Sequence, residues 1–395
     1  MSENNIYIVR KIREGHAAFF EKTWPSWVGA LLIAFISIMM FAWGRPWGVV
    51  AGMRNWGDWL FVSMGLYTKT IQSPLINFAS IMDIGLIFGA FASALLGREF
   101  SLRVPPRIEM VKGFIAGILM GIGAALARGC NVGGFYSAIS AYSLGGFAMM
   151  IGLIAGAYVG LRYLLWDMEK FPPKMSTPAA KGTKKIKYDW RPVQPYIGVA
   201  VLVAGILASF QYSAFAYTKA GGFLLLGLSI GVVMHRSRFC FVAAFRDPFM
   251  TGDSRQTKAV ALSLMVAVIG YGIIKWAGLR GEMVYVTNTF FFGGLVGGFI
   301  FGTGMVVAGG CGSGTLWRVG EGQVKLWMVL VSFALTNSLV RYYMDTTGLI
   351  EKVGRAVFLP DWITYKWSVI LILAILILWY IAADWNEEGD VFVID

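Results

Sequence analysis

About ten apolar runs divide this sequence of 395 residues, and each is long enough to cross a lipid bilayer or nearly so. A helix of about 20 apolar residues spans the hydrocarbon core. The chain is 57% hydrophobic and only 14% charged, which is too little polar surface for a water-soluble globule of this size. The sequence therefore predicts an all-α polytopic membrane protein with about 9–10 transmembrane helices plus short re-entrant or broken helices. The runs lie near 27–42, 82–97, 113–127, 145–165, 196–212, 221–235, 259–277, 291–308, 326–343 and 367–383.

A stretch rich in Pro and Lys, 167–195, separates the runs into two groups. Its composition is typical of a solvated linker, so we predict a first membrane half at 1–166, the linker, and a second membrane half at 196–395. Lys and Arg concentrate in the linker, before the first run and at 98–112, which predicts that these segments and the N-terminus are cytoplasmic. The Trp-rich segment 43–59 then lies at the outer interface. The segment 58–72 remains open between a surface helix and a re-entrant helix.

The chain repeats itself at an offset of 181 residues. Residues 113–134 and 294–315 share seven small residues at helical spacing and a cysteine in register, Cys130 and Cys311. Such a match is unlike chance similarity between apolar runs and indicates a real repeat. Our helix count orients the two segments in opposite directions, as in transporters with inverted repeats. The sequence thus predicts two repeat-related halves around a central, cysteine-lined path.

Glycine determines how each repeat segment can pack and where its helix can break. Gly at every fourth position lays a smooth strip along a helix, which allows close helix packing and lets the two strips pack together. The Gly-Cys-x-x-Gly step favours a break in the helix at the cysteine. Backbone N–H groups exposed at such a break form anion sites. We therefore predict substrate-binding roles for the two repeat cysteines and for the flanking glycines, Gly129, Gly133, Gly310 and Gly314.

The third cysteine, Cys240, lies in RSRFCFVAAFRD after another apolar run. In the first half Ser101 of GREFSLR is its weakly aligned counterpart. Three scattered cysteines without a CxxC pair, and only two histidines, predict no disulfide framework, no metal site and no cofactor. The net charge is +12, and the basic residues cluster in the segments between the apolar runs. We therefore expect the lipid bilayer, and not nucleic acid, as a partner.

Charged residues near the cysteines leave several interpretations open. Arg128 either faces a polar cavity, where it attracts an anion, or ends a helix at the outer interface. We add it to the predicted substrate-binding residues. Arg318 with Glu321, and Arg246 with Asp247, are interpreted as pairs that stabilise loops or helix ends or that guard the cytoplasmic mouth.

Together the motifs ARGCNVGG, RSRFCFVAAFRD and AGGCGSGTLWRVGEGQ resemble the YeeE/YedE family of sulfur-compound membrane transporters. The resemblance implies uptake of thiosulfate through an hourglass-shaped protein, with one cysteine per motif contacting the ion: Cys130, Cys240 and Cys311. The Phe-Cys motif lies in the second half here, which looks like the YedE branch linked with selenium metabolism, so a related selenium species is the other substrate candidate. The family also implies a bacterial or archaeal inner membrane and a small cytoplasmic TusA-like sulfurtransferase as partner.

Two rival functions remain at this stage. One is a membrane sulfurtransferase-type enzyme with a persulfide-carrying cysteine, for which a cation beside an exposed thiol is the cue, and Cys240 between Arg238 and Arg246 partly fits. The other is an unspecific anion channel. A transporter without catalytic residues is the function that we expect. A third interpretation, a structural subunit of a larger membrane complex, is disfavoured by the internal repeat with a cysteine at each of its two centres.

Overall fold

The computed structural model describes residues 10–11, 14–171 and 190–394. Over these residues the chain is helical, and β pairing is limited to isolated bridges between loops. The α-helices of the described residues are α1 (Ser26–Trp43), α2 (Val50–Ser63), α3 (Phe78–Leu96), α4 (Arg107–Leu126), α5 (Ser137–Ser140, after the π-helical turn Asn131–Tyr136), α6 (Leu144–Lys170), α7 (Gln194–Ala214), α8 (Thr218–Ser237), α9 (Phe241–Met250), α10 (Arg255–Trp276), α11 (Phe292–Ala308), α12 (Gly312–Glu321), α13 (Val324–Thr346), α14 (Leu349–Lys352) and α15 (Pro360–Gly389).

Ten segments of the described chain are long and apolar enough to cross a membrane. Each overlaps one of the ten predicted runs, so the predicted class, an all-α polytopic membrane protein with broken helices, is confirmed. Three of the ten are interrupted: α4 is followed by α5, α8 by α9 and α11 by α12. Most of the predicted linker, 172–189, lies outside the described residues.

In the Trp-rich segment, Trp43 and Trp59 are exposed, but Trp47 does not lie at the protein surface. Trp47 is fully buried, and its ring contacts those of Tyr136 and Phe241 in the protein interior. The Ser137 hydroxyl donates a hydrogen bond to the Trp47 carbonyl (2.6 Å), which fixes this loop against the helical segment after Cys130. The segment 58–72 is helical only up to the end of α2, which packs against α3 and α13.

The glycine strips of the two repeat helices pack against other helices rather than against each other. A Cβ on Gly117 of α4 would lie 2.6 Å from the Val329 carbonyl of α13. On α11, a Cβ on Gly298 would lie 2.6 Å from the Met149 carbonyl of α6. Real Cβ atoms never approach so closely, so glycine is required at both contacts. Because each strip packs against a helix of the other half, the two halves interlock, and the expectation that the strips pair with one another is wrong.

A second line of small residues joins α4 directly to α11. A Cβ on Gly123 would lie 2.6 Å from the Gly297 carbonyl, and a Cβ on Gly304 would lie 3.0 Å from the Ala116 carbonyl. Near the end of α4, the Leu126 carbonyl faces Gly293, at the beginning of α11. The beginning of each helix therefore contacts the end of the other, and the two repeat helices run antiparallel.

Candidate functional site

All three cysteines occupy the same kind of backbone break. Each lies two residues after a residue in the left-handed conformation and directly before a helical segment. A left-handed residue turns the chain out of a helix and thereby ends it. The left-handed residues are Arg128 (φ 55°), Arg238 (φ 52°) and Gly309 (φ 75°), and the cysteines are Cys130, Cys240 and Cys311.

Each cysteine is the N-cap of the helical segment that follows it. The Cys130 carbonyl accepts a hydrogen bond from Gly134 N–H (2.7 Å), and the Cys311 carbonyl accepts one from Thr315 N–H (2.7 Å). The Cys240 carbonyl is bonded in the same way, at 3.1 Å. At Cys311 the thiol also accepts a hydrogen bond from Gly314 N–H, at 3.3 Å. The first N–H groups and the helix dipole give each of these termini a partial positive charge.

The three thiols are buried, free and close together in the interior. Cys130 packs on the second repeat break, because a Cβ on Gly312 would lie 2.8 Å from the Cys130 Sγ. The Cys311 thiol and the Arg318 guanidinium both lie beside Gly314, because a Cβ there would be 3.1 Å from the Cys311 Sγ and 3.8 Å from the Arg318 Nη1. Arg318 of α12 links this region to the third break, because its Nη2 approaches the Cys240 Sγ to 3.6 Å. The repeat and the third motif thus meet at one place.

The four predicted glycines have different surroundings. Gly129 and Gly133 line a small cavity beside Cys130. Gly314 lies against the Cys311 thiol, since a Cβ there would be 3.1 Å from the Sγ. Gly310 packs on Leu326 of α13 instead, where a Cβ would lie 3.2 Å from the leucine Cδ1.

Arginines surround the small cavity, which has a volume of about 130 Å³. Arg128 faces it and donates a hydrogen bond to the Asn288 side chain, so Arg128 both ends α4 and lines a polar cavity. Low-dielectric walls focus the field of such a cluster and attract anions. Sequence analysis missed three of its four arginines, which lie on segments distant in sequence: Arg45, Arg54 and Arg341.

A larger cavity of about 750 Å³ lies beside the Cys240 break. Gln256 lines this cavity and accepts a hydrogen bond from the Cys240 N–H (3.2 Å). Its amide also donates to Ser26 of α1 (3.0 Å). The cysteines therefore lie between an arginine-lined cavity near Cys130 and a wider cavity near Cys240.

An ion-pair cluster flanks the wider cavity. Glu99 accepts hydrogen bonds from Arg236 (2.6 Å) and Arg238 (2.7 Å), and the buried Glu321 accepts one from Arg238 (3.0 Å) and pairs with Arg103 (3.2 Å). These contacts join segments of both halves at one end of the molecule.

Three expectations about polar residues meet different outcomes. Glu321 does not pair with Arg318, because Arg318 donates instead to the Gly309 carbonyl and contacts the Cys240 thiol. The predicted pair of Arg246 and Asp247 is present, at 2.8 Å. Ser101 is exposed and precedes a loop rather than a helix, so it has no N-cap role comparable to that of Cys240.

Two buried indoles near the cysteines carry N–H groups that have no hydrogen-bond partner among the described residues. They belong to Trp47, which lies against Phe241 directly after Cys240, and to Trp317, which lies one residue from Arg318. Asn131, next to Cys130, has an unpartnered carbonyl oxygen and donates only to the Met305 sulfur (3.3 Å). Unsatisfied buried donors are costly and rare. Nothing in the sequence distinguishes these two tryptophans from the interfacial ones.

Interrupted membrane helices whose short segments begin next to one another inside the protein are characteristic of polytopic transporters with discontinuous helices. A family model described as Sulphur transport matches residues 4–159 and 236–390, and the chain belongs to this family. The family resemblance predicted from the cysteine motifs is confirmed.

Individual relatives carry transporter names. The chain is 30% identical over 339 residues, 83% of each chain, to the probable transporter YedE of Escherichia coli K12. It is 29% identical over 342 residues to the probable transporter YedE of Salmonella typhimurium LT2, covering 82% of this chain and 84% of that protein. A shorter match, 28% over 175 residues, relates 41% of the chain to 46% of the thiosulfate transporter TsuA of E. coli K12. The chain is accordingly a multi-pass membrane transporter rather than an enzyme.

Proposed function

We propose that the protein takes up a small sulfur-containing anion, thiosulfate in the first place, by passing it from the arginine-lined cavity along Cys130, Cys311 and Cys240 to the wider cavity. The observation that carries this proposal is the convergence of the three cysteine N-caps between the two cavities. The name of the relative TsuA, a thiosulfate transporter, supports the choice of anion. A related selenium species is the second candidate, because its soft atom offers the same contacts.

Thiols suit such a path because their contacts are weak. A thiol is a weak donor with a polarisable sulfur, so it can contact the outer sulfur of thiosulfate without holding the ion as a charge-assisted bond would. Passage requires several modest sites in series, since one strong site would trap the ion. The backbone N–H groups at the N-termini, including those near Gly129, Gly133 and Gly314, and the Trp47 and Trp317 N–H groups would balance the negative charge.

Arg128 and its neighbours give the arginine-lined cavity a collecting role. We propose that this cavity faces the outside of a bacterial or archaeal inner membrane, that the N-terminus and the ion-pair cluster face the cytoplasm, and that 1–166 and 196–395 form inverted repeats joined by a cytoplasmic linker. The antiparallel contact of α4 with α11 supports this arrangement. The wider cavity would then open toward the side where a TusA-like sulfurtransferase, the partner implied by the family, can receive the ion.

The persulfide enzyme is the rival that one observation favours, because Arg318 Nη2 lies 3.6 Å from the Cys240 Sγ. In that reaction a thiolate attacks the outer sulfur of thiosulfate, the S–S bond of thiosulfate breaks, a cysteine persulfide forms and sulfite leaves. Transport and this reaction differ in the fate of the two sulfur atoms.

The decisive experiment uses proteoliposomes and thiosulfate labelled with ³⁵S at either the outer or the central sulfur. If the intact ion crosses the membrane, both labels accumulate inside at the same rate, and liposomes without protein accumulate neither. Retention of the outer label alone, with labelled sulfite left outside, would identify the enzyme. Absence of uptake for both labels by folded protein would refute the proposed transport of thiosulfate, and the same vesicles with labelled selenite and sulfite test the other anions.

A further inference from the structure

The loop between α10 and α11 holds a tyrosine that reaches the arginine-lined cavity. Tyr285 lines this cavity together with Gly48 and Gly133. A Cβ on Gly48 would lie 2.8 Å from the Tyr285 hydroxyl oxygen, and a Cβ on Gly133 would lie 2.7 Å from it. Real Cβ atoms do not approach so closely, so glycine at both positions leaves room for this hydroxyl group. The hydroxyl therefore lies where the loop after α1 meets the helical segment that Cys130 caps.

The backbone at Tyr285 is strained, and the loop is held on both sides of it. Its φ is 67°, a left-handed conformation that is unfavourable for a residue with a side chain. Before it, the Arg280 guanidinium donates to the Phe41 carbonyl near the end of α1 (3.0 Å). After it, the Thr287 N–H donates to the Ser143 hydroxyl (3.2 Å). Strain of this kind persists only where the surroundings over-determine the backbone, and it is common at functional sites.

The Tyr285 hydroxyl and a cation flank the same point of the cavity. The Cβ position on Gly48 that lies 2.8 Å from the hydroxyl oxygen lies 3.9 Å from the Arg45 Nη2. A phenol donates one hydrogen bond and a guanidinium several, and both groups suit an oxygen atom of an anion. The tyrosine ring packs at the edge of a small buried cluster, which fixes the position of the hydroxyl. The cluster consists of Phe41, Ala141, Tyr271 and Ile274.

We propose that Tyr285 is a further substrate-binding residue, whose hydroxyl donates a hydrogen bond to an oxygen of the anion in the arginine-lined cavity. The arginines attract any anion through their charge, whereas the phenol adds one donor in a fixed direction. Because this donor lies beside the segment that Cys130 caps, it holds the anion at the entrance to the cysteine path. This inference rests on the proposed function.

The first test compares Tyr285→Phe with the wild-type protein in proteoliposomes, with the initial uptake of labelled thiosulfate measured over a range of concentrations. The variant keeps the ring and loses only the hydroxyl. The concentration for half-maximal uptake should rise about tenfold, because a hydrogen bond to a charged ligand is lost, while the maximal rate stays nearly unchanged. Tyr365→Phe is the matched control, because that hydroxyl is also buried but lies in an apolar groove between α10 and α15. It should keep the wild-type curve.

A second test displaces the hydroxyl without changing Tyr285, and it also covers the case in which Tyr285→Phe fails to fold. A methyl group at position 48 would meet the hydroxyl oxygen, whereas its next neighbours, the Gly133 Cα and the Arg45 Nη2, lie 3.6 and 3.9 Å away. Gly48→Ala should therefore raise the half-maximal concentration nearly as much as Tyr285→Phe does. In the Tyr285→Phe background the same substitution should have little further effect, because both changes remove one contact.

An unchanged half-maximal concentration in folded Tyr285→Phe would overturn the inference and leave thiosulfate transport intact. So would a lower maximal rate at an unchanged half-maximal concentration, which would mean that the hydroxyl acts on passage and not on binding. Fully additive effects of Gly48→Ala and Tyr285→Phe would also contradict it, since the methyl group would then act on something other than the hydroxyl. If instead the wild-type protein takes up no thiosulfate at any concentration, the proposed function itself fails.

Discussion

Arginine occupies two of the three left-handed positions that precede the cysteines, although this conformation costs a residue with a side chain about 1–2 kcal/mol relative to the ordinary helical one. Neighbouring contacts hold both arginines in place. Arg238 donates to Glu321 and Glu99, and Arg128 donates to Asn288. Such strain persists where the surroundings over-determine the backbone, and it is common at functional sites. Both arginines thereby hold a cation close to a cysteine N-cap.

Replacing Cys130 or Cys311 by alanine should reduce thiosulfate uptake about tenfold or more, which corresponds to about 1.4 kcal/mol in the barrier to passage. The loss of one buried sulfur should cost only about 1 kcal/mol of folding free energy. Cys240→Ala should have the smaller effect, because Cys240 lies beside the wider cavity, where the path opens. Uptake rates in proteoliposomes and thermal unfolding in detergent measure the two quantities. Normal uptake by all three folded variants would mean that the thiols are inert core residues.

At the residue scale the sequence identified the cysteines as candidate site residues but not the residues that surround them. Cys130 and Cys311 stand out because a repeat places them in register. Arg128 and Gly309 share the left-handed backbone conformation. The sequence does not predict this conformation at Arg128, since only glycine favours it intrinsically. Arg45 and Arg341 join Arg128 through long-range packing, and Trp47 looks like an interfacial residue until the fold buries it.

At the scale of helices, hydropathy predicted the positions of the membrane-spanning helices but not which helices pack against each other. All ten predicted runs are helical, yet the glycine strips of α4 and α11 pack against α13 and α6 rather than against each other. Small residues show where a backbone approaches but not which backbone it is. The short helix α2 escaped prediction because its 14 residues mix polar and aromatic side chains and do not span a membrane.

The antiparallel contact of α4 and α11 leads to a prediction about their orientation. With the N-terminus in the cytoplasm, α4 runs outward and α11 runs inward. A reporter inserted at Lys184 should give a cytoplasmic signal, and the same reporter at Gly348, after α13, should give an external one. The measurement uses reporter fusions that are active in only one compartment. The same compartment for both insertions, or the reverse assignment, would contradict the proposed topology.

For the molecule as a whole, the interlocked halves bring the two repeat breaks and the third cysteine to one place. The cation-rich cavity at one end attracts anions, and the ion-pair cluster of Glu99, Glu321 and their arginines lies at the other end. A pore that used only backbone N–H groups and arginines would recognise charge and shape. We propose that the thiols add a preference for soft atoms, and this preference is the central claim about the protein.

Competition between thiosulfate and sulfate tests that claim most directly, because sulfate has the same charge and a similar size but only hard oxygen atoms. In proteoliposomes with the wild-type protein, unlabelled thiosulfate should suppress uptake of the labelled ion, whereas an equal concentration of sulfate should leave it nearly unchanged. Cys311→Ser keeps a side-chain acceptor for the Gly314 N–H and hardens the contact, so it should lower uptake more than Arg128→Gly, which suits the left-handed backbone at that position. Equal inhibition by sulfate and thiosulfate, or full activity of Cys311→Ser, would contradict the account and leave an unselective anion carrier.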